Sequence, residues 1–181
     1  RPKPDQHRAE IMAELAKLQP GAHVNEKELK SALQGIKVLD LCIILAGPTC
    51  GRTLAEFGAD VIKIDSPHRN PVQSHNDINR AKRSILLDLK TPEGKEIFWK
   101  LVDQADVVLQ NMRKGVAETL GIGYEQVKAR KPSIVYASPN AFGQLGPYAL
   151  RPGHEQIAQA ISGMQLRYGG YDKPALAPYP V

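Results

Sequence analysis

A histidine and a glutamate stand side by side in the run RPGHEQIAQAISG, at His154 and Glu155. A neutral imidazole can accept a proton at neutral pH, so the two side chains could act as an acid-base pair. The pair also follows a Pro-Gly turn directly, and an acidic residue in the first turn of a helix suits the helix dipole. The residues alone leave both interpretations open, proton transfer or the polar start of a helix.

Three clusters of basic side chains indicate a second chemistry, the binding of a polyanion such as nucleic acid or a phosphate-rich cofactor. The clusters are Arg80, Lys82 and Arg83 in NRAKRS, Arg113 and Lys114 in NMRKG, and Lys128, Arg130 and Lys131 in KARK. For KARK a solvated helix end is favoured, because cations stabilise a helix C-terminus. In QNMRKGVAETLG we expect Arg113 and the amides of the following helix to hold a phosphate, with a surface ion pair as the alternative.

Short apolar runs that alternate with amphipathic segments must position these residues. The runs, which begin at residue 36, are IKVLDL, DVIKID, SILLDL, DVVLQN and SIVYASP. Runs of this length, rich in Val and Ile and bounded by Gly, Asp or Pro, are typical of buried parallel strands. The pattern predicts a doubly wound α/β fold.

One helix of this pattern carries a full set of signals. The segment TPEGKEIFWKLVDQAD has a Thr cap and Pro at the first helical position, and both favour a helix start. The apolar face predicted for it carries Ile97, Phe98, Leu101 and Val102. Nearer the N-terminus, the spacing in DQHRAEIMAELAKL predicts a short amphipathic helix ahead of a linker.

In a doubly wound sheet, ligands bind beyond the carboxyl ends of the strands. The segments expected there are LAGPTCG, DSPHRNP, DLK, QNMRKG and SPNAFGQLGPY. LAGPTCG lacks the GxGxxG of dinucleotide-binding proteins, and no phosphate-binding GxxxxGK[ST] occurs in the chain, so a nicotinamide enzyme and a P-loop NTPase are disfavoured. Lys90 follows the third run directly and is therefore at the ligand-facing edge.

The composition narrows the class of protein further. The 181 residues are 42% hydrophobic and 24% charged, with a net charge of +5, which is typical of a globular domain. No apolar run approaches the roughly 18 residues that span a bilayer, and aromatic residues do not interleave with the cations, so neither a membrane nor a nucleic-acid partner is expected. The only cysteines, Cys42 and Cys50, form no CxxC and are predicted to be buried, reduced thiols of a cytoplasmic protein.

Three long segments carry a resemblance to a known family. They are LQGIKVLDLCIILAGPTCGRTLAEFGADVIKIDSP, NRAKRSILLDLKTPEG, and ADVVLQNMRKGVAETLGIGYEQVKARKPSIVYASPNAFGQLGPYALRPGHEQIAQAISGM. In order and spacing they resemble the N-terminal part of the family III CoA-transferases, which include formyl-CoA transferase, carnitine CoA-transferase and the α-methylacyl-CoA racemases. The resemblance implies a Rossmann-like, mostly parallel sheet that is incomplete relative to the family's full fold.

The resemblance also implies a coenzyme A site. The residues implied are Leu45 and Ala46 after the first strand, Leu87, Asp88, Leu89 and Lys90 after the third, and Asn111, Met112 and Arg113 after the fourth. Many family members have an aromatic residue at the position of Met112, although a methionine can also pack against an adenine face. Coenzyme A or acyl-CoA would be a substrate, with a small carboxylic acid as the second one, and no metal is expected.

The family's transferases use an aspartate that attacks the thioester and forms a mixed anhydride. By the family's spacing this aspartate would follow PALAPYPV, beyond Val181, so we expect the chain alone to be inactive. His154 aligns with the histidine that shares α-proton abstraction in the racemases, and Glu155 with a position that is usually acidic. The acid before proline is Asp65 here, and HRNPVQ replaces the GD that commonly follows it.

Two domain regions are expected. Residues 1–32 form a helix and linker that resemble the closing segment of the family, and residues 33–181 form the N-terminal part of the large domain. A tandem protein, dimeric or pseudo-dimeric through its two copies, would explain both. Three functions stay open: transfer of CoA between acids, racemisation of an acyl-CoA at its α carbon through His154, and a CoA-binding half without catalysis.

Overall fold

The computed structural model describes residues 30–69 and 75–176. The strands in this part of the chain are β1 (Lys37–Asp40), β2 (Asp60–Asp65), β3 (Arg83–Leu86), β4 (Val107–Leu109) and β5 (Val135–Ala137). The helices in the same part are α1 (Ala46–Glu56), α2 (His75–Ile78), α3 (Pro92–Val102), α4 (Val116–Leu120), α5 (Tyr124–Arg130), α6 (Glu155–Ile161) and α7 (Met164–Gly169). The helix predicted within DQHRAEIMAELAKL lies outside the described residues.

The five strands form one parallel sheet in the order β3-β2-β1-β4-β5. The chain moves outward from β1 to β3 and then returns to add β4 on the other side of β1. The doubly wound α/β fold predicted from the sequence is therefore confirmed. Strand order reverses between β1 and β4, and at such a point the connections leave the sheet on opposite sides and open a crevice.

Side chains of β1 point alternately to the two faces of the sheet, and each face has its own hydrophobic cluster. Val38 packs with Cys42, Ala55 and Leu109 on one face, which α1 covers. Leu39 packs on the other face in a larger cluster that includes residues of α3, α4 and α5. Successive side chains of a strand point to opposite faces, so both faces of this central strand are buried.

The two outer strands differ from the sequence prediction of buried strands. Leu86 of β3 is 64% exposed and Val135 of β5 is 59% exposed. Each of these strands has a neighbour on one side only, and helices cover the sheet mainly over its centre. An apolar run therefore identifies a strand correctly without showing whether it lies at the edge.

Helix α3 begins as predicted. The Thr91 side chain accepts a hydrogen bond from the Gly94 amide at 3.1 Å, a cap of a kind that stabilises a helix by about 1 kcal/mol. Phe98 and Val102 are fully buried, one turn apart. Ile97, which was predicted on the same face, is 40% exposed, because the side of the helix that meets the sheet is narrower than the apolar stripe.

The two cysteines have different environments. Cys42 is fully buried, and burial raises the pKa of its thiol far above the usual range. Cys50 is exposed on the outer side of α1, so the prediction that both are buried is wrong for this residue.

None of the described helices has the length and apolar character needed to cross a membrane.

Candidate functional site

The carboxyl ends of β1 and β4 are joined through one side chain. Asn111, just beyond β4, accepts a hydrogen bond from the Ile43 amide and donates one to the Ile43 carbonyl, each at 2.8 Å. The adjacent Gln110 accepts from the Met112 amide and donates to the Ser138 hydroxyl beyond β5, each at 2.7 Å. The loops after β1, β4 and β5 are thus linked at the point where strand order reverses.

The loop after β1 carries an unusual backbone conformation. Ile44 has a φ of 74°, in the left-handed region, although it is β-branched and 58% exposed. Such a conformation costs about 1–3 kcal/mol and persists only where the surroundings hold it. The next residue, Leu45, is the N-cap of α1, and Ala46 is the first helical residue. The two residues expected to contact CoA therefore lie directly after the strained position.

A buried ion pair lies beneath this loop. Asp40, the last residue of β1, and Lys82 are 2.7 Å apart, and their side chains are 0% and 1% exposed. The Lys82 ammonium also donates to the Pro48 carbonyl at 2.7 Å and to the Asn79 side chain at 3.0 Å. Burial lowers the pKa of Lys82, while the hydrogen bond and charge of Asp40 oppose that shift. Three acceptors require three N–H donors, so the amine is protonated in this arrangement.

Two glycines allow α1 to lie this close to the end of β1. A Cβ on Gly51 would collide with the Asp40 carboxylate, and a Cβ on Gly47 would lie 2.6 Å from the Cys42 sulfur. Both glycines are buried within the first turns of α1. The small residues of AGPTCG therefore have a packing role, in place of the phosphate-binding role that glycines have in dinucleotide motifs.

The loop after β3 brings together a carboxylate, an imidazole and a cation. Asp88 accepts hydrogen bonds from the Lys90 amide and from the His68 ring, each at 3.0 Å. The bond from the Lys90 amide, and after it the bond from His68, hold the pKa of Asp88 below its usual value. Leu87 and Leu89 pack toward the core, and the Lys90 side chain is exposed. The loops after β2 and β3 therefore meet at this end of the sheet.

The loop after β4 presents Met112 and Arg113. Met112 packs against the core cluster, whereas the Arg113 side chain is exposed and, among the described residues, has no ion pair or hydrogen bond. The helix that follows offers fewer free amides for binding a phosphate than the sequence predicted. Helix α4 has only five residues, and its Val116 amide already donates to the Arg113 carbonyl at 3.0 Å. Arg113 itself remains available for an anion.

The three cations of the cluster NRAKRS pair with carboxylates of the same chain. Arg80 pairs with Glu56 at 2.9 Å, and Arg83 forms two hydrogen bonds with Asp60 at 2.9 and 2.6 Å. Lys82 is the buried partner of Asp40. These pairs with carboxylates offset the charge that the cluster could offer to a polyanion, and the assignment of the cluster to such a partner stays a prediction.

The cluster KARK lies at a helix end, as predicted. Lys128 and Arg130 are in the last turn of α5, and Lys131 follows as its C-cap. The Arg130 guanidinium binds both oxygens of Asp103.

The histidine and glutamate of HEQIAQ lie at the start of α6. His154 is the N-cap, with an extended backbone, an exposed side chain and no capping bond from its ring. Glu155 is half-buried, and its carboxylate accepts a bond from Gln159 at 2.8 Å. No hydrogen bond or ion pair of the described residues joins either side chain to the ends of β1, β3 or β4. The structure places the pair at a helix start, and the preceding Gly153 packs against Ala141 and Phe142 of the loop after β5.

Sequence reasoning missed two buried cations, Lys63 and Lys82. Lys63 is almost fully buried in β2 and pairs with Asp65 at 2.7 Å, which gives the acid before Ser-Pro a structural partner. Residues two apart on a strand share a face, so the sequence KID held this signal. Asp40 sits inside the apolar run LDL, and an acid in a buried central strand indicates a buried cation nearby.

Comparisons with known proteins identify relatives of this chain. The model of the family described as CoA-transferase family III matches residues 33–181. The succinate–glutarate CoA-transferase of Agrobacterium fabrum is 39% identical over 162 residues, covering 79% of this chain and 40% of that protein. The formyl-CoA:oxalate CoA-transferase of Escherichia coli is 37% identical over 161 residues, covering 82% of this chain and 39% of that protein. The chain spans about two fifths of the length of these relatives.

Two solved structures share the fold of this chain. Rv3272 from Mycobacterium tuberculosis superimposes with a TM-score of 0.76 at 35% identity, covering 82% of this chain and 43% of that chain. A CAIB/BAIF family protein from Brucella suis superimposes with a TM-score of 0.73 at 38% identity, covering 82% of this chain and 44% of that one. Because the family model matches residues 33–181, which are most of this chain, the chain belongs to CoA-transferase family III.

Proposed function

We propose that the carboxyl edge of this sheet binds the CoA part of an acyl-CoA, and that the complete protein transfers CoA between carboxylic acids. The single observation that carries the proposal is the distribution of cations. Lys90 and Arg113, at the ends of β3 and β4, have no ion pair within the described part of the chain, whereas the cations before β3 are paired internally. Phosphates of a ligand would therefore meet unpaired charge at this edge.

The spacing of the loops suits an extended ligand. The ends of β3 and β4 are separated by β2 and β1, which corresponds to three strand spacings or about 14 Å. The nucleotide part of CoA carries a 3′-phosphate and a diphosphate at separate positions, so one molecule can present phosphate to both loops while its pantetheine arm extends from the diphosphate. We assign the phosphates to Lys90 and Arg113, and the pantetheine arm to Leu45 and Ala46 at the start of α1.

The other residues expected to contact CoA fall into two groups: those with polar atoms that already form hydrogen bonds within the protein, and those that offer apolar surface. Met112 and Leu89 offer apolar surface, whereas the Leu87 amide already donates to the Asp65 carbonyl at 2.9 Å. The Asn111 carboxamide is occupied by the Ile43 backbone on both of its polar atoms, so we propose that it holds the loop after β1 for the ligand. Asp88 is the one carboxylate among these residues, and its oxygens already accept bonds from the Lys90 amide and the His68 ring, so we propose that another aspartate is the nucleophile.

We propose the covalent route of the family for the chemical step. An aspartate carboxylate, expected beyond Val181, attacks the thioester carbonyl, the C–S bond breaks, and CoA leaves as a thiolate with a mixed anhydride on the enzyme. The thiolate then attacks the aspartyl carbonyl, which releases the first acid and leaves CoA on the enzyme as a thioester. A second carboxylic acid reverses these two steps and departs as the new acyl-CoA.

Calorimetry with CoA tests the binding site. Arg113→Ala removes one charge-assisted bond to phosphate, worth about 1.5–3 kcal/mol, so we expect Kd for CoA to rise about tenfold or more. Arg83→Ala is the matched control, because it removes the same charge at the opposite edge of the sheet, where Asp60 already pairs with it. Equal affinities of Arg113→Ala and the unsubstituted chain would remove Arg113 from the site.

A racemase is the second candidate, and the free, exposed ring of His154 is the observation that favours it. Such an enzyme would exchange the α proton of an acyl-CoA with solvent deuterium, and His154→Asn would abolish the exchange. A transferase would instead move labelled CoA to a free acid without exchange. A non-catalytic half would bind CoA, and the complete protein would keep its activity after the expected downstream aspartate is replaced in a second copy.

Exposed apolar side chains support a larger assembly. Between residues 145 and 176 the exposed large hydrophobic residues are Leu145, Tyr148, Leu150, Ile157, Ile161, Met164, Leu166, Tyr168, Tyr171 and Leu176. A segment with this many exposed apolar side chains is expected where another part of the protein or a second copy covers it. We propose a dimer, or a pseudo-dimer of tandem copies in which residues 1–32 close a preceding copy. Sedimentation of the complete gene product, together with its mass, tests this.

A further inference from the structure

We propose that Lys82 is a positioning residue, which fixes the loop after β1 and the start of α1 in the conformation that receives CoA. The inference rests on the proposed CoA site. It assigns a role to a lysine that the sequence places in a basic cluster and whose side chain the structure buries. Lys82 would act through Leu45 and Ala46 without touching the substrate.

The three bonds of the Lys82 ammonium end on three separate segments. Asp40 is the last residue of β1, Pro48 lies in the first turn of α1, and Asn79 follows α2. All three distances are 3.0 Å or less, and the ammonium has no further hydrogen to donate. One buried cation therefore ties the end of the central strand to the beginning of the helix that carries the loop.

The bonds continue from Asp40 into the loop itself. The other Asp40 oxygen accepts the Cys42 amide at 2.8 Å, and the next residue, Ile43, is held by Asn111. After these two restrained residues the chain passes through the left-handed Ile44 and enters α1 at Ala46. The strained residue is thus bracketed, with Asp40 and Asn111 holding the chain before it and Lys82 holding Pro48 after it.

If Lys82 and Asp40 only stabilised the fold, a buried ion pair would not be required at this place. A buried ion pair is often no more stabilising than apolar residues of the same volume, because both charges lose their hydration. An apolar pair, however, could not hold the Pro48 carbonyl and the Cys42 amide at the same time. What Lys82 and Asp40 provide beyond packing is the direction of two backbone segments next to the expected ligand.

The decisive variant is the double substitution Asp40→Asn/Lys82→Met, because it removes both charges and leaves neither one buried and unpaired. Its control is Arg83→Met, which removes the neighbouring cation and its surface pair with Asp60. Three readouts apply to each protein: the thermal midpoint, hydrogen-deuterium exchange of the amides of residues 42–49, and Kd for CoA by calorimetry. Lys82→Met alone, which leaves the Asp40 carboxylate unpaired, provides the comparison for the thermal midpoint.

We expect the double variant to recover most of the thermal midpoint that Lys82→Met loses. Its residues 42–49 should nevertheless exchange at least tenfold faster than in the unsubstituted chain, and its Kd for CoA should rise at least tenfold. Arg83→Met should match the unsubstituted chain in exchange and affinity. A double variant that is folded, exchanges at the original rate and binds CoA equally would overturn the inference. Absence of CoA binding in the unsubstituted chain would contradict the proposed function instead, and the exchange rates would still decide whether Lys82 fixes the loop.

Discussion

Gly51→Ala is the sharpest test of how closely α1 lies against the end of β1. Gly51 is inside an eleven-residue helix, where alanine would ordinarily stabilise the protein by about 1 kcal/mol. Here the added Cβ would overlap the Asp40 carboxylate and lie 3.2 Å from the Lys82 nitrogen. The carboxylate cannot move away freely, because its two oxygens bind the Cys42 amide and the Lys82 ammonium.

The magnitude follows from these two opposing effects. Overpacking a well-packed site costs about 1–3 kcal/mol, and the doubly bonded carboxylate places Gly51→Ala at the upper end of that range. Subtracting the helix propensity of alanine leaves a net loss of about 2 kcal/mol in the free energy of unfolding. For a domain of this size the loss corresponds to a midpoint lowered by about 4–8 °C.

Urea unfolding followed by circular dichroism measures this loss. Thr53→Ala, on the exposed side of the same helix, is the control and should be neutral or slightly stabilising. In an Asp40→Ala background the obstructing carboxylate is absent, so Gly51→Ala should cost less there, with a coupling of about 1–3 kcal/mol. The packing argument fails if Gly51→Ala stabilises the protein as much as Thr53→Ala does and shows no coupling to Asp40.

Two further predictions concern the core and the loop after β1. Burial, together with the charge of Glu118, raises the pKa of Tyr136 to about 12, so the stability that its neutral phenol contributes should be complete below about pH 10 and lost as pH rises toward 12. An absorbance titration should show one phenol that ionises at a higher pH than the other tyrosines, and Tyr136→Phe should abolish that ionisation. A titration unchanged by the substitution would be contrary evidence. Asn111→Ala should lower the free energy of unfolding by about 2 kcal/mol through two lost hydrogen bonds and should weaken CoA binding in calorimetry, whereas the exposed Asn140→Ala should change neither. Unchanged CoA affinity in Asn111→Ala would show that the loop after β1 binds CoA without the two hydrogen bonds from Asn111.

The sheet and its main helix could be predicted because their signals are local. The capping threonine, the following proline and the spacing of Phe98 and Val102 all lie within twelve residues, and the structure confirms that helix. The five apolar runs likewise coincide with the five strands, except that β3 begins one residue earlier, at Arg83. Their order in the sheet, and hence the exposure of Leu86 and Val135 at its edges, depends on pairings between distant segments that no run of residues encodes by itself.

The candidate site was less predictable, for a related reason. Lys82 and Asp40 are 42 positions apart, and the charges around Lys82 in NRAKRS suggested a surface patch. The left-handed backbone of Ile44 has no sequence signal either, because a β-branched residue is among the least expected there. Both features arise only when α1 is packed on the sheet. The segments at the strand ends were identified in advance, while the bonds that hold them were not.

Four basic residues lie in two environments with different consequences for binding. Lys63 and Lys82 are buried with their own carboxylates, so neither can approach a phosphate without breaking an ion pair in the interior. Lys90 and Arg113 are exposed at the strand ends and, within the described residues, have no ion pair. If CoA were attracted only by the net charge of +5, removing any surface cation would weaken binding equally and the loss would disappear at high salt. The arrangement favours the opposite behaviour: the exposed cations bind the phosphates directly, and the buried cations determine where the adjoining backbone lies.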